Sequence, residues 1–397
     1  MFLEFFCNIV CNRHFKYTAK KYNKLEIFYK TPYFYYILYS MSRIKKIGIP
    51  RALSYYNNFP FYYGFFKHLG LDVIVSDKTA SKIINEGSSC TASETCLPVK
   101  VFAGHVLNLL DKGVYDIFIP SLQSNAYKIN NCSKIRGLPD IIRNIIDKPL
   151  NIIDPELNIT ENKGFYQFWN ETAHLIGIED KKLIKSAIAA GWEKYDNFIR
   201  TAENGFPYNK AMENALNDIF ESRCLEAVKP LSVVIAAHGY NLFDERISLN
   251  IIKKLEKINV KVYTPLNVLR KNALEAVNSL GELVYWANEA ELTGTAAYFM
   301  LNKKIDGIIV LSSFGCGPDS LMAAEISSHA KDTGIPMMHL NIDEHTGEAG
   351  FMTRLEAFID MLARKKYNPA AHKKENSRNV KAAAAEKQNA VLCTVNN

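Results

Sequence analysis

The chain has 397 residues, 48% of them hydrophobic and 22% charged, which is the composition of a globular protein with a large core. Its net charge of +7 comes from the ends, since residues 1–41 carry six basic and two acidic side chains and residues 364–397 carry eight and two. The remaining 34 basic and 37 acidic side chains leave the body slightly acidic, which argues against a nucleic-acid partner.

Membrane and export signals are not indicated by the sequence. No apolar run reaches the roughly 18 residues that a membrane-spanning helix needs. The segment MFLEFFCNIVC resembles the apolar part of a signal peptide, but a basic, Tyr-rich stretch follows it where a cleavage site would lie. The eight cysteines form neither a dense disulfide framework nor paired C-x-x-C motifs. We therefore expect a reduced, cytoplasmic protein with no membrane partner.

The first part of the chain predicts an α/β domain over residues 42–158. Strand-like runs KKIGIP, LDVIVSD, YDIFIPS and PLNIIDPEL alternate with the helical segments NFPFYYGFFKHLG, CLPVKVFAGHVLNLLDKG and GLPDIIRNIID. Strands separated by helices are typical of a parallel sheet. Residues 1–41 show little periodicity, and we interpret them as an extension outside the fold, with translation naturally starting at Met41.

Residues 159–228 are predicted to be mostly helical, and the alternation resumes in a second α/β domain over residues 229–365. Its strands are LSVVIAAHG, VKVYTP, IDGIIVLSS and IPMMHLNID, and its helices include RISLNIIKKLEKIN, DSLMAAEISSHAKDTG and TRLEAFIDML. Residues 366–397 are polar and basic and predict a disordered tail. The expected architecture is two Rossmann- or flavodoxin-like parallel-sheet domains joined by a helical segment, with the site in the cleft between them.

Cys316 lies in LSSFGCGPDSL, directly after a run that reads as a buried strand. Gly315 and Gly317 leave room for a bulky cofactor on either side of the sulfur, and Pro318 and Asp319 suit the first turn of a helix. The pattern predicts a tight strand-to-helix turn at the sheet edge where α/β proteins bind ligands.

Two further cysteines share this pattern. Cys96 precedes Pro98 and Cys132 precedes Pro139, so each is expected on a loop at the carboxyl end of a sheet and near a helix amino terminus. Such a position lowers the pKa of a thiol and directs backbone N–H groups at the sulfur. These two cysteines come from the first domain and Cys316 from the second, so the three converge only across the cleft.

Three thiolates suit an iron–sulfur cluster with one iron left open. The spacing alone leaves alternatives open: a zinc site with a fourth His or Cys, a nucleophilic Cys316 assisted by His238 or His345, and plain packing of cysteines in a core. Among the other cysteines, Cys90 and Cys224 are expected to be structural, and three are expected to be remote: Cys7, Cys11 and Cys393.

A polar loop, NIDEHTGEAG, follows the last predicted strand. His345 and Glu348 are three residues apart and, together with Glu344, are candidates for an acid–base pair or for metal ligands. The alternative is that this loop caps the helix that follows it.

Several long motifs resemble the acyl-CoA dehydratase activase-related family: KIGIPRAL, ETCLPVKVFAGHVLNLL, GLPDIIR, DGIIVLSSFGCGPDSL and IDEHTGEAGFMTRLEAFIDML. That family is similar to the cluster-bearing subunits of 2-hydroxyacyl-CoA dehydratases and to double-cubane-cluster reductases. The resemblance covers residues 44–365. It departs at Ser133, where the family tends to have proline, and at AAHGYN, where the family tends to have GHPYN.

The resemblance implies a 4Fe–4S cluster, or a double-cubane form of it, held by Cys96, Cys132 and Cys316 beside Gly315 and Gly317. It also implies a separate ATP-hydrolysing activator of the actin/hexokinase-like fold as the electron donor, since no G-x-x-x-x-G-K-[ST] motif occurs here. Pairing of two copies would bring two clusters together, so a homodimer is a further expectation.

These inferences favour an iron–sulfur protein that takes low-potential electrons from the activator for a difficult reduction. Two alternatives remain open: a 2-hydroxyacyl-CoA dehydratase subunit that eliminates water, and a non-catalytic subunit that binds a cluster only to transfer electrons or as a scaffold.

Overall fold

The structure, a computed structural model, describes residues 44–221, 229–281, 286, 289–302 and 305–367. The described elements belong to one compact unit that starts at Lys46. The predicted extension over residues 1–41, most of the predicted tail, and four of the cysteines lie outside the described residues: Cys7, Cys11, Cys224 and Cys393.

The first parallel sheet has the strand order β2-β1-β3-β6. Its strands are β1 (Lys46–Ile49), β2 (Asp72–Val75), β3 (Asp116–Phe118) and β6 (Asn151–Ile153). The helices of this half are α1 (Tyr55–His68), α2 (Ser81–Cys90), α3 (Leu97–Asp111), α4 (Ser133–Arg136) and α5 (Leu138–Ile145).

The second parallel sheet has the order β11-β10-β8-β9. Its strands are β8 (Leu231–Ala236), β9 (Val260–Tyr263), β10 (Gly307–Ser313) and β11 (Met337–Ile342). Its helices are α9 (Gly239–Leu242), α10 (Ile251–Lys257), α11 (Arg270–Ser279), α12 (Glu289–Asn302), α13 (Gly317–Thr333) and α14 (Glu348–Tyr367). Three further helices, α6 to α8, lie between the two sheets in the chain.

Between the two sheets the chain forms the predicted helical segment, with α6 (Phe165–Leu175), α7 (Lys181–Glu203) and α8 (Tyr208–Leu216). Helix α7 begins where the Asp180 side chain accepts hydrogen bonds from the backbone N–H groups of Lys182 and Leu183. An aromatic core forms around the buried Trp169, whose ring centroid lies 4.6 Å from that of Phe61. The prediction of an α/β protein with two parallel sheets is confirmed.

Both sheets share one topology. Counted in chain order within each half, the strands run 2-1-3-4, and the direction of winding reverses between the first and third strands. Ligands of open α/β sheets bind at such reversals, outside the carboxyl ends of the strands. The reversal lies between β1 and β3 in the first half and between β8 and β10 in the second, and we call these the first and second switch points.

Two local predictions were incomplete or wrong. A small third sheet of β4 (Ser121–Ala126), β5 (Ile129–Asn130) and β7 (Glu156–Asn158) was not predicted. The helix predicted from Arg246 begins only at Ile251, because Leu249 and Asn250 adopt positive φ angles of 51° and 55°. The Asp244 carboxylate accepts hydrogen bonds from the two backbone N–H groups that follow it before this turn. Such bonds from an aspartate to its own backbone favour a turn over a helix.

No described helix is both long enough and apolar enough to cross a membrane.

Helices α2 and α3 pack backbone against backbone. A Cβ atom on Gly87 would lie 1.9 Å from the carbonyl oxygen of Lys100, and one on Gly104 would lie 1.9 Å from that of Ile83. Only glycine permits this approach, and the packing positions the start of α3.

We expect Gly104→Ala to lower the free energy of unfolding by about 3 kcal/mol, because the added methyl group displaces the backbone of α2. Gly350→Ala is the matched control, since Gly350 is also helical but no other part of the chain lies within 4 Å of the place that its Cβ would take. The control should be neutral or stabilising by up to about 1 kcal/mol. Urea unfolding measures both, and equal effects would contradict the packing argument.

Candidate functional site

Cys316 lies on the predicted turn between β10 and α13. It is the residue that caps the amino end of α13, with Pro318 in the first turn. Gly315 has a φ of 75°, and the place where its Cβ would lie is 3.8 Å from the Cα atom of Cys96. Glycine is favoured here because the backbone is left-handed and because a loop of the other half passes beside it. Gly317 has open space around it.

Cys96 and Cys132 also cap helices, at the amino ends of α3 and α4. The expected position at helix starts is therefore confirmed for all three cysteines. The expectation that each follows a strand of a parallel sheet holds only for Cys316. Cys96 follows the loop after α2, and Cys132 follows β5 of the small third sheet.

The three cysteine loops interact with one another. The Cys96 thiol is within electrostatic range of Cys132, and the Cys316 thiol is within range of Cys96. Tyr240, which is half-buried, lies within electrostatic range of Asp319 and of all three sulfurs, and desolvation of its phenol together with these charges holds its pKa well above the ordinary value. Two loops of the first half and one of the second thus face one tyrosine.

The expected lowering of thiol pKa is wrong for two of the cysteines. Burial raises the pKa of Cys96 and of Cys316, and the nearby Asp319 carboxylate raises that of Cys316 further. The Lys134 charge and, more weakly, the N–H group of Val99 oppose the rise at Cys96, and the N–H group of Asp319 opposes it at Cys316. Desolvation of the thiolate therefore outweighs the helix terminus, and a thiolate here needs a positive partner.

His238 and Asp319 form a buried ion pair across the second switch point. His238 follows β8, Asp319 follows β10, and their Nε2 and Oδ1 atoms are 2.9 Å apart. Burial disfavours the imidazolium, but the carboxylates of Asp319 and Glu291 outweigh burial and raise the pKa of His238 to about 10. The Asp319 carboxylate also accepts a hydrogen bond from the Cys316 thiol. The pair was not predicted, although Asp319 stands three residues after Cys316.

The other nitrogen of His238, Nδ1, is buried and makes no hydrogen bond. Its neighbour is the Glu291 carboxylate at 3.8 Å, an ion-pair distance rather than a hydrogen-bond distance. The His238 ring also stacks on Tyr240, with centroids 5.0 Å apart. A protonated histidine thus lies between two carboxylates, one beside Cys316 and one beside a cavity.

That cavity lies at the first switch point and has a volume of about 350 Å³. It is lined by the ends of β1 and β3, by α1 and α7, and by Tyr240 and Glu291 of the second half. A second cavity of about 350 Å³ adjoins Arg51 and Asp244. The first, which we call the central cavity, is connected to the cysteine loops through Tyr240.

The polar loop after β11 is divided between different partners. Glu344 forms an ion pair of 2.6 Å with the buried Lys100, which also donates to the carbonyl oxygen of Ser93. Glu348 pairs with Lys254 on the surface, and the His345 side chain is exposed. Glu344 thus joins the second half to the loop before Cys96. The sequence feature that could have indicated this contact is Lys100, a lysine inside the otherwise apolar helix α3.

Across the described ranges, no group of three or more His, Cys, Asp or Glu side chains is arranged to hold a single metal ion. A single zinc ion draws its thiolates to about 2.3 Å from one point. A cluster is held differently, because each thiolate binds a different iron atom. Cys90 stands apart from the three, with its thiol donating to the carbonyl oxygen of Gly87.

The His238–Asp319 pair predicts a pH dependence of stability. The pKa of His238 is raised from 6.5 to about 10 in the folded state. Its charge therefore stabilises the fold fully below pH 6.5, and this contribution is lost as the pH rises through about 10. We expect the unfolding free energy of the protein to fall over that range more steeply than that of His238→Gln, as measured by urea unfolding. If the unfolding free energies of the two proteins changed with pH in parallel, the raised pKa of His238 would be contradicted.

Comparison with known protein families gives two matches, and both agree with the resemblance of the motifs. The CoA enzyme activase uncharacterised domain matches residues 46–268, and the 2-hydroxyglutaryl-CoA dehydratase, D-component, matches residues 294–362. No curated protein matches the chain. A crystal structure of the Lac repressor bound to ONPG in the repressed state is similar at 8% identity, over 80% of this chain and 86% of that one.

The TM-score of that structural match is 0.21, a level that supports no argument about fold or function. The family matches are different in kind, because the first spans more than half of the sequence and the second contains Cys316 and Asp319. The resemblance found in the motifs is confirmed, and residues 294–362 are similar to the 2-hydroxyglutaryl-CoA dehydratase, D-component. The chain belongs to the family of the CoA enzyme activase uncharacterised domain.

Proposed function

We propose that this protein is an iron–sulfur component that takes low-potential electrons from a separate ATP-hydrolysing activator and uses them in a difficult reduction. The observation that supports it best is the meeting of the Cys96, Cys132 and Cys316 loops, each at a helix amino end and drawn from both halves. The membership of the family adds to this support.

The three residues fit a cluster in their chemistry. Thiolates are the usual ligands of iron–sulfur clusters, and the bound cluster would supply one-electron transfer at low potential. Burial holds Cys96 and Cys316 in the thiol form without a cation. Iron would offset the free-energy cost of burying a thiolate charge, since a coordinated thiol is deprotonated outright. Cys96, Cys132 and Cys316 are the residues that would hold the cluster.

The chain's own residues around these loops have distinct tasks. The Asp319 carboxylate holds the Cys316 thiol and is itself fixed by His238. Tyr240 is half-buried, lies within electrostatic range of the three sulfurs and also lines the central cavity. Lys100 and Glu344 tie the loop before Cys96 to the second half. Hydrogen bonding and solvent exclusion of this kind tune the potential of a cluster.

We expect Cys96→Ser, Cys132→Ser and Cys316→Ser each to lose most of the bound iron and sulfide after anaerobic purification. A serine hydroxyl is a poorer ligand of iron than a thiolate, because it is far less acidic and stays protonated near neutral pH. Cys90→Ser is the matched control, since that thiol donates to Gly87 within its own helix, and it should keep full iron content. Iron and sulfide assays with electron paramagnetic resonance measure the result. Iron content unchanged in all four variants would refute the proposed ligands.

The electron donor is expected to be a separate ATPase, because this sequence lacks a phosphate-binding G-x-x-x-x-G-K-[ST] motif. Anaerobic mixing with an activator of the family and ATP should reduce the cluster, and omission of ATP should abolish the reduction. Equally fast reduction by a ferredoxin alone would leave an ordinary electron carrier.

The match to a dehydratase D-component over residues 294–362 favours one second candidate, a subunit that eliminates water from 2-hydroxyacyl-CoA thioesters. Product analysis in the same mixture separates the two, since elimination of water leaves an enoyl thioester with no net consumption of electrons. A net two-electron reduction product would support the reductase.

A further inference from the structure

The central cavity has the size and shape of a small-molecule site. Its volume of about 350 Å³ lies within the range of ligand pockets, and a cavity of about 150 Å³ already holds benzene. Its walls at the first switch point are largely apolar or aromatic: Ile49, Tyr62, Phe102, Phe118 and Leu122. A flat, apolar ligand body would therefore be desolvated there.

The charged side chains in the lining of this cavity do not balance. The described lining residues include two carboxylates and one guanidinium, from Glu203, Glu291 and Arg270, which gives a net charge of −1. The phenols of Tyr195 and Tyr240 also line the cavity, and Tyr195 interacts electrostatically with Arg270 and Glu291. Glu203 is exposed, whereas the Glu291 side chain is largely covered.

Glu291 is contacted by one residue of each half, Asn57 of α1 and His238 at the second switch point. The Asn57 side chain donates to its carboxylate at 3.4 Å, and His238 Nδ1 lies 3.8 Å from it. His238 is only 3% exposed and is not among the described lining residues, and its Nδ1 has no hydrogen-bond partner among the described residues. The Glu291 carboxylate thus has one long hydrogen bond and one ion pair behind it and keeps acceptor capacity at the cavity wall.

We propose that the central cavity binds a small molecule with an aromatic or aliphatic body and an amine or hydroxyl group, and that Glu291 receives this group. His238 is a positioning residue, which holds the carboxylate at the cavity wall and connects it through Asp319 to the Cys316 loop. An anionic carboxylate ligand is disfavoured, because it would meet the net negative charge of the lining. The proposal concerns binding and does not depend on the cluster.

Three probes of equal ring size test the charge preference: benzylamine, phenol and benzoate. With the full chain, purified anaerobically, calorimetry should show benzylamine binding best, phenol more weakly and benzoate at least tenfold more weakly than benzylamine. Competition between benzylamine and phenol should show one shared site. Benzoate binding as well as benzylamine would overturn the proposal, and so would the absence of binding by all three.

Glu291→Gln should weaken benzylamine binding at least tenfold and phenol binding less, because it removes the charge and keeps the shape. Glu203→Gln is the matched control, since it removes an equal charge from the same lining at an exposed position, and it should change the affinity less than twofold. Glu291→Asp, which keeps the charge, should retain part of the affinity, and thermal unfolding shows that each variant is folded. Equal losses in both glutamine variants would overturn the role of Glu291.

The positioning role of His238 has its own readout. His238→Gln removes the cation that lies 3.8 Å from the Glu291 carboxylate, so the carboxylate is no longer held at the wall. Benzylamine, which pairs with that charge, should then bind several-fold more weakly, and phenol should lose less. Unchanged binding by a folded variant, or equal losses for both probes, would overturn that role. Iron content, assayed on the same samples, separates these results from a failure of the proposed cluster.

Discussion

The arrangement of both candidate sites depends on one buried ion pair, between His238 and Asp319. Each residue lies at the carboxyl end of a strand on one side of the second switch point, and the 2.9 Å contact holds the two loops together. Breaking such a pair by removing one partner is strongly destabilising, since an uncompensated charge stays buried. The pair therefore sets the position of the Cys316 thiol on one side and of the Glu291 carboxylate on the other.

The His238–Asp319 pair lies in a protein whose two halves repeat one sheet topology. Both halves have the same strand order, so each presents a switch point at its carboxyl edge. The first forms the wall of the central cavity, and the second carries His238 and Cys316. The close approach of α2 to α3 and the ion pair of Lys100 with Glu344 fix the loop of Cys96 between them.

Desolvation and helix termini act against each other at the thiols. A helix amino end favours a thiolate, whereas burial of Cys96 and Cys316 disfavours it more strongly. The consequence is that the Cys96 and Cys316 thiols stay neutral in the absence of a cation. Such a site suits a metal centre better than a free nucleophilic cysteine, which needs a lowered pKa and access to solvent.

The local features of this protein follow from short stretches of its amino-acid sequence. The alternation of strands and helices, the two parallel sheets, and the place of three cysteines at helix starts were all predicted, because apolar periodicity, proline and glycine act over a few residues. The family was also predicted, from long motifs around Cys96 and Cys316. The identity of the proposed cluster ligands and the reaction remain predictions.

Which side chains meet, and which of them are desolvated, depends on long-range packing that short sequence patterns do not encode. Lys100 and Glu344 are 244 residues apart, and His238 and Asp319 are 81 apart, so no local pattern joins them. The rise in thiol pKa reversed the expected direction, because burial depends on what packs over a loop. The helix predicted from Arg246 was shortened by the tertiary turn at Asp244. Local propensity selects the elements, whereas long-range packing sets the electrostatics of the sites.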